Sequence, residues 1–333
     1  MLKPAPILFL HDFRYWTEYL HPYLDPIRFP LIRSHRADAG YVGPLLDPAN
    51  LSQRDLLLAG HSEEKFAPHT RVLLRLQHSP GFGSGSHLHA YNWVANSPRR
   101  MMIPRNALEM LRTTRALSSS QLQLRDRMLA DPKLSITDFD PNLNHFFRAP
   151  SAAARASGTI LVALNWRVTA QPADLERALQ TIRVLAKSYT LRLAAHPFSK
   201  AKWIGSRLHD QLTQACRELS IPLVTDLSRS SLMRELDAAE FILTDGSGSI
   251  YEGVARGCKA LLLDGLSYQR GAGVLSAAMA GGYLPPTRAS AIASHPGAAS
   301  DLDWLRKLHP HSIVDADISA RAAEEIEKIF ACW

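Results

Sequence analysis

The densest run of groups suited to holding an anion is Thr244-Asp245-Gly246-Ser247-Gly248-Ser249-Ile250-Tyr251-Glu252. An apolar run of strand length, Phe241 to Thr244, leads into it, and a helical pattern begins near Ile250. Glycines let a backbone come close to a ligand, and the first N–H groups of a helix are unsatisfied donors at the positive end of its dipole. The hydroxyls of Ser247 and Ser249 add donors, and Glu252, one turn into the helix, is placed to accept from ribose hydroxyls. The plainer alternative is a strand-to-helix turn in which Ser249 is the N-cap. Two glycines and two serines between Gly246 and Ser249 exceed what capping needs. That surplus favours a phosphate cradle over Asp245, Gly246, Ser247, Gly248 and Ser249.

Two further groups follow apolar runs. His196 comes directly after Leu191 to Ala195 and before Pro197. It can donate to a diphosphate or carry a proton, the alternative being a surface histidine before a turn proline. Arg167 follows Asn165 and Trp166, and a guanidinium matches phosphate oxygens bidentately. An exposed loop arginine is the bland reading of the same residue. In the N-terminal half, Gln77-His78-Ser79-Pro80-Gly81-Phe82-Gly83-Ser84-Gly85 repeats the strand-then-glycine layout. His78 is there the candidate general base for an acceptor hydroxyl, set against a structural loop histidine. His87 and His89 lie nearby, but no carboxylate or cysteine stands beside them at ligand spacing. No metal is expected, and no cofactor beyond a nucleotide-diphosphate donor that is itself substrate.

These groups need a scaffold that brings strand ends to one rim. After Gly158, strand-like runs recur at Thr159–Leu164, Leu191–Ala195, Pro222–Asp226, Phe241–Thr244 and Ala260–Asp264. Between them lie helical spacings: Leu175, Leu179, Ile182 and Leu185 after Pro172 and Asp174, then Leu208, Leu212, Cys216 and Leu219. Leu232, Leu236 and Ala239 mark a short helix, and Ile250 to Arg256 another. Fully apolar strands alternating with helices predict a parallel sheet buried on both faces, which takes ligands at the carboxyl ends of its strands. In the N-terminal half Ile7–Leu10, Asp55–Gly60, Arg71–Leu76 and His89–Asn96 read as strands between helices. The softest stretches are Ser118–Ser120 and Pro150–Gly158, the second being the better boundary, and 286–300 is expected as loop. The predicted fold class is α/β, with two Rossmann-like domains facing a cleft in the GT-B manner. Residues 1–152 form the acceptor side and 153–315 the donor-binding domain, and 316–333 form a C-terminal helix marked by Ala322, Ile326, Ile329 and Phe330.

Bulk properties narrow the function classes. The 333 residues are enough for two domains, and 46% apolar with 21% charged is a globular composition. No apolar run approaches the ~20 residues that span a bilayer, and the Ile7–Leu10 run is too short for a signal-peptide core. Cys216, Cys258 and Cys332 include no CxxC pair, which fits a reducing, cytoplasmic compartment without structural disulfides. The excess of 38 basic over 31 acidic residues, +7, suits an anionic substrate or contact with an anionic lipid surface at the inner face of a membrane. Basic runs are short, as at Arg99-Arg100, and aromatics do not interleave with them, so no nucleic-acid partner is expected.

The set of motifs resembles the CDP-glycerol glycerophosphotransferases that build teichoic-acid and related capsule polymers. That family's strand reading ILYAPTWR corresponds to Ile160-Leu161-Val162-Ala163-Leu164-Asn165-Trp166-Arg167. Its strand ending in His-Pro corresponds to His196-Pro197, and its TDySS…fD run to Thr244 through Glu252 without a gap. The stretch before that run resembles Val224-Thr225-Asp226 through Ser228, Leu236 and Ala239, and the WHG motif falls on Gln77-His78-Ser79. Departures are Gln77 and Ser79 beside the histidine, no lysine from Gly81 to Gly85, Val168 after the Trp-Arg pair, and Ala260 after Lys259. The likeness covers about 110 residues, concentrated in the C-terminal half.

The resemblance implies transfer of a glycerol-phosphate or related group from a CDP-glycerol-like donor to a hydroxyl on a polysaccharide or lipid-linked acceptor. It also implies that His78 is the base. Two other readings stay open. One is a sugar-nucleotide glycosyltransferase or a relative of UDP-N-acetylglucosamine 2-epimerase, whose serine-glycine-glycine loop and following Glu are similar to Ser247 through Glu252. The other is an inactive nucleotide-binding scaffold, suggested by the altered flanks of His78.

Overall fold

A computed structural model of the chain describes residues 8–11, 24, 29, 31–33, 54–59, 70–76, 91, 100–104, 118–137, 155–165, 168, 171–195, 206–224, 229–266, 287–308, 320, 323–324 and 326–328. They belong to two compact units. One combines Met1–Arg148 with Pro310–Trp333, and the other is Ala149–His309. The segment 316–333 thus belongs to the first unit; its described residues are helical, with Ala323 and Ile326 buried.

The first unit contains a sheet of β1 (Leu8–His11), β2 (Leu31–Arg33), β3 (Arg54–Ala59), β4 (Thr70–Leu76), β5 (Arg100–Pro104) and β6 (Leu134–Thr137). The spatial order is β2-β1-β3-β4-β5-β6, and every pairing is parallel. The expected strands Ile7–Leu10, Asp55–Gly60 and Arg71–Leu76 are strands at their described residues 8–10, 55–59 and 71–76; β5, over Met101-Met102-Ile103, and β6 are additional. Ser118–Ser120, expected as a soft stretch, instead starts helix α1 (Ser119–Ala130). The Ser118 hydroxyl accepts the Gln121 N–H at 3.3 Å, and the Gln121 side chain accepts the Ser118 N–H at 2.9 Å. This reciprocal capping satisfies two otherwise unpaired donors. The expected strand His89–Asn96 is also corrected at its one described residue, because Tyr91 is helical. Its hydroxyl donates to Asp131 Oδ2 at 2.8 Å, and burial together with that carboxylate pushes the phenol up to about 12. A tertiary contact, not local alternation, fixes this tyrosine.

The second unit runs β7 (Ala156–Leu164), α2 (Pro172–Leu185), β8 (Thr190–Ala195), α3 (Ser206–Glu218), α4 (Arg229–Ala238), β9 (Ala239–Thr244), α5 (Ser249–Ala255), β10 (Lys259–Leu262), a 3-10 turn (Ala289–Ser294) and α6 (Ala298–Leu308). The four strands lie in the order β10-β9-β7-β8, all parallel. Single parallel bridges extend the sheet at both edges, Leu223 beside Leu193 and Arg288 beside Leu262. Counted along the chain, the six positions read 3-2-1-4-5-6, the doubly wound order of dinucleotide-binding sheets. Of the strand expected over Pro222–Asp226, the described residues 222–224 form that one bridge, and the rest lies outside the described residues. The loop expected over 286–300 holds the Arg288 bridge, the 3-10 turn and the start of α6.

Apolar periodicity built this unit. Ile160, Val162 and Leu164 of β7 pack with Leu175, Leu179, Ile182 and Leu185 of α2 and with Leu212 and Cys216 of α3. On α5, Tyr251 stacks on Trp304 of α6 with ring centroids 5.8 Å apart. Among the described residues, no helix is long and apolar enough to cross a membrane.

Helix α5 reaches the sheet through Gly253. A Cβ placed there would come within 2.6 Å of Ile242 Cγ2 and 2.7 Å of its Cδ1. Gly253→Val should therefore lower unfolding free energy by about 1–3 kcal/mol through overpacking. Urea denaturation checks this, and Ile242→Ala in the same chain should give a less than additive loss, because it removes the atoms in conflict.

Candidate functional site

In a doubly wound sheet the chain leaves the central strand in both directions, and the loops at the two diverging carboxyl ends open a crevice. Here those strands are β7 and β9, paired through Ala163 and Thr244. The loop after β7 begins at Asn165 and the loop after β9 at Asp245. The Asn165 N–H donates to Asp245 Oδ1 at 3.4 Å, so the two loops meet at the switch point itself.

Thr244, Gly246, Gly248 and Ser249 shape the turn that follows β9. Thr244 is fully buried; its carbonyl accepts the Leu263 N–H at 2.8 Å and its Oγ1 accepts the Gly246 N–H at 2.8 Å. Gly246 sits at φ +92°, a left-handed conformation open to glycine and strained for other residues. Gly248 occupies the N-cap position of α5 at φ −55° and ψ −24°, with no side-chain cap bond. Ser249 is therefore not the N-cap; its hydroxyl lies 2.8 Å from that of Ser247. The Ile250 and Tyr251 N–H groups turn back to the Ser247 and Gly248 carbonyls, both at 3.1 Å. The N–H groups of Ser247, Gly248 and Ser249 make no hydrogen bond among the described residues. Three successive backbone donors and two hydroxyls, all only partly buried, thus share one turn at the rim of the sheet. That set is chemically suited to an anion. Glu252 is buried on the first turn of α5.

The structure brings Asp245, Gly246, Ser247, Gly248, Ser249 and Glu252 together at one edge. His78, His196 and Arg167 lie outside the described residues. The strands preceding the last two, β8 and β7, end in register at Ala195 and Leu164. Thr244 and Asn165 lay within the motifs read from the sequence, but the bonds by which the Thr244 hydroxyl and the Asn165 N–H build the site were not foreseen. Their signal was the Thr-Asp pair directly before glycine, a place where short polar side chains commonly bond neighbouring backbone.

Other reactive groups lie elsewhere. Cys216 and Cys258 are free and buried, and burial pushes both thiols up to about 11, which removes them as nucleophiles at neutral pH. His295 and Asp301 form a buried pair at 3.1 Å, where the Asp301 carboxylate also accepts the Ala260 N–H at 2.7 Å. Burial raises this carboxyl above the usual range. The pair braces the amino end of β10, away from the rim.

No protein-family model matches the chain, and no curated protein matches it in sequence. Solved structures do match in fold. S. aureus MnaA with UDP aligns over 98% of this chain and 97% of its own, at TM-score 0.56 and 13% identity. The wall teichoic acid polymerase TagF aligns over 98% of this chain and 89% of its own, at TM-score 0.54 and 13% identity. A variant of that polymerase soaked with CDPG gives TM-score 0.50 at 12% identity, over 98% and 88%. At such identity the likeness lies in the fold. The chain has an α/β fold of the GT-B type built on parallel sheets, as the motif resemblance implied.

The left-handed turn at Gly246 gives a direct test of the loop's geometry. Gly246→Ala should cost about 1–2 kcal/mol of stability, whereas Gly248→Ala, at a helical φ, should cost little. Paired urea melts of the two variants read the difference.

Proposed function

We propose that the chain is a GT-B-type transferase whose second unit holds a nucleoside-diphosphate donor at the β7/β9 switch point. The observation that carries this reading is the convergence, at that crevice, of the Asn165 loop with the Ser247, Gly248 and Ser249 donors. In this reading those N–H groups and the two serine hydroxyls bind the diphosphate. Arg167 and His196 add charge-assisted contacts, and Glu252 accepts from the ribose. The donor's leaving phosphate gains charge in the transition state, so pre-set donors there supply the main catalytic term.

The transferred group is a glycerol phosphate or a relative, and the acceptor is a hydroxyl of a polysaccharide or lipid-linked polymer. The acceptor oxygen bonds to the distal phosphorus, the bridging P–O bond breaks, and the nucleoside monophosphate leaves. His78 takes the acceptor proton. This assignment draws on the motif resemblance and on the fold shared with the teichoic acid polymerase. The fold shared with MnaA, solved with UDP, favours a second reading in which the donor is a UDP-sugar. Free, buried cysteines accord with work in a reducing cytoplasm.

Titration calorimetry with CDP, UDP and GDP separates these readings. One nucleotide should bind clearly more tightly than the others, and at 100 times its Kd it should stabilise the fold by about 2.7 kcal/mol. Gly248→Val, which fills the turn without requiring a left-handed backbone, should abolish that binding while the apo melting curve is kept. Undiminished affinity in this variant would place the diphosphate elsewhere. With the true donor and acceptor in hand, His78→Ala should lower kcat by about 10²–10⁴-fold at nearly constant donor affinity. Normal turnover would remove His78 from the mechanism.

A further inference from the structure

The donor site as described uses the glycines and serines of its loop but gives no task to Asp245, which is only 2% exposed. A carboxylate only accepts hydrogen bonds, and so do phosphate oxygens. Direct contact between the two would set like charges and acceptors against each other. What Asp245 does instead is accept the backbone N–H of Asn165. The ladder between β7 and β9 has its last pair at Ala163 and Thr244, so this side chain carries the connection past the end of the sheet.

The geometry points to Asp245 as a positioning residue that ties the loop after β7, which carries Arg167 two residues beyond Asn165, to the diphosphate-binding loop after β9. The inference rests on the donor-site reading above. Thr244 completes the device. Its carbonyl fixes the end of β9 to Leu263 after β10, and its hydroxyl fixes Gly246. Three neighbouring groups thus reach the β7 loop, the turn itself and the β10 end, and the Ser247, Gly248 and Ser249 N–H groups have no partner among the described residues. Asp245 then acts on donor affinity through Arg167, by fixing where the arginine loop begins, and makes no contact with the nucleotide.

The test uses the full chain, with CDP and UDP titrated calorimetrically. Asp245→Ala should weaken the nucleotide that wild type binds by about 10-fold or more, the range for a lost hydrogen bond to a charged group. Asp245→Asn keeps an Oδ1 acceptor and should stay within about 3-fold of wild type on the same reasoning. The distinguishing readout is coupling. In an Arg167→Ala background, Asp245→Ala should cost less than about 3-fold, because the group it positions is gone. Asn165→Pro removes the donor from the other side and should reproduce the Asp245→Ala loss, also if Asp245→Ala proves poorly folded. Equal losses for the Asn and Ala variants, or losses at 245 and 167 that multiply independently, would overturn the inference. Failure of wild type to bind either nucleotide would instead overturn the donor-site reading beneath it.

Discussion

Strand β7 has neighbours on both sides, β8 and β9, both parallel to it. A chain can achieve that only by winding away from the strand in one direction, returning, and winding away in the other. At its carboxyl end the two departing loops necessarily diverge, and backbone donors there have no strand or helix to pair with. The remaining features of the second unit accommodate this constraint. β7, buried from Thr159 to Leu164, anchors helices on its faces, Gly253 lets α5 lie directly on Ile242, and Asp245 joins the start of the loop after β7 to the loop after β9.

The two edges of this sheet are treated in opposite ways. At the amino edge polar groups are paired with one another within the protein. Glu240 accepts the Gly158 N–H at 2.6 Å and pairs with Lys259 at 2.7 Å, and these partners, Lys259 above all, hold its carboxyl below the usual range. Asp301 takes the Ala260 N–H, and Arg256 forms a two-pronged pair with Asp237 at 2.8 and 2.6 Å. At the carboxyl edge the side chains tie loops together, and the three main-chain donors of the Ser247–Ser249 turn have no partner among the described residues. Buried polar groups are costly unless paired, so their pairing at one rim and availability at the other gives the unit a direction.

Much of this was legible in the residues. Thr159–Leu164 and Phe241–Thr244 are almost wholly apolar because both faces of a parallel sheet are covered, whereas Leu191–Ala195 carries Arg192, which pairs with Glu235. The α2 leucines repeat at helical spacing because only one stripe meets β7. Illegible were elements made by partners distant in sequence. Arg100–Pro104 and Leu134–Thr137 are short and carry polar residues, and they become strands through pairing with β4 and with each other. Tyr91 is placed by Asp131, forty residues on. Ser118–Ser120 misled because serine marks both loops and helix starts, and only Gln121 at the third position distinguishes them. At the site, the glycine and serine loop was visible as composition. The use of Asp245 was not, because its partner is a backbone amide eighty residues away.

Arg155, just ahead of β7, shows what such distant partners do. Its guanidinium donates to the Leu236 carbonyl at 2.9 Å, the Ala239 carbonyl at 2.6 Å and the Arg256 carbonyl, collecting the ends of α4 and α5. Those acceptors lie 81, 84 and 101 residues along the chain, and they converge only after α4, β9 and α5 are in place. A bond between groups so far apart in sequence closes a long stretch of chain, and one guanidinium closes three of them at once. The start of β7 therefore cannot part from the ends of α4 and α5 without all three carbonyls losing the same donor.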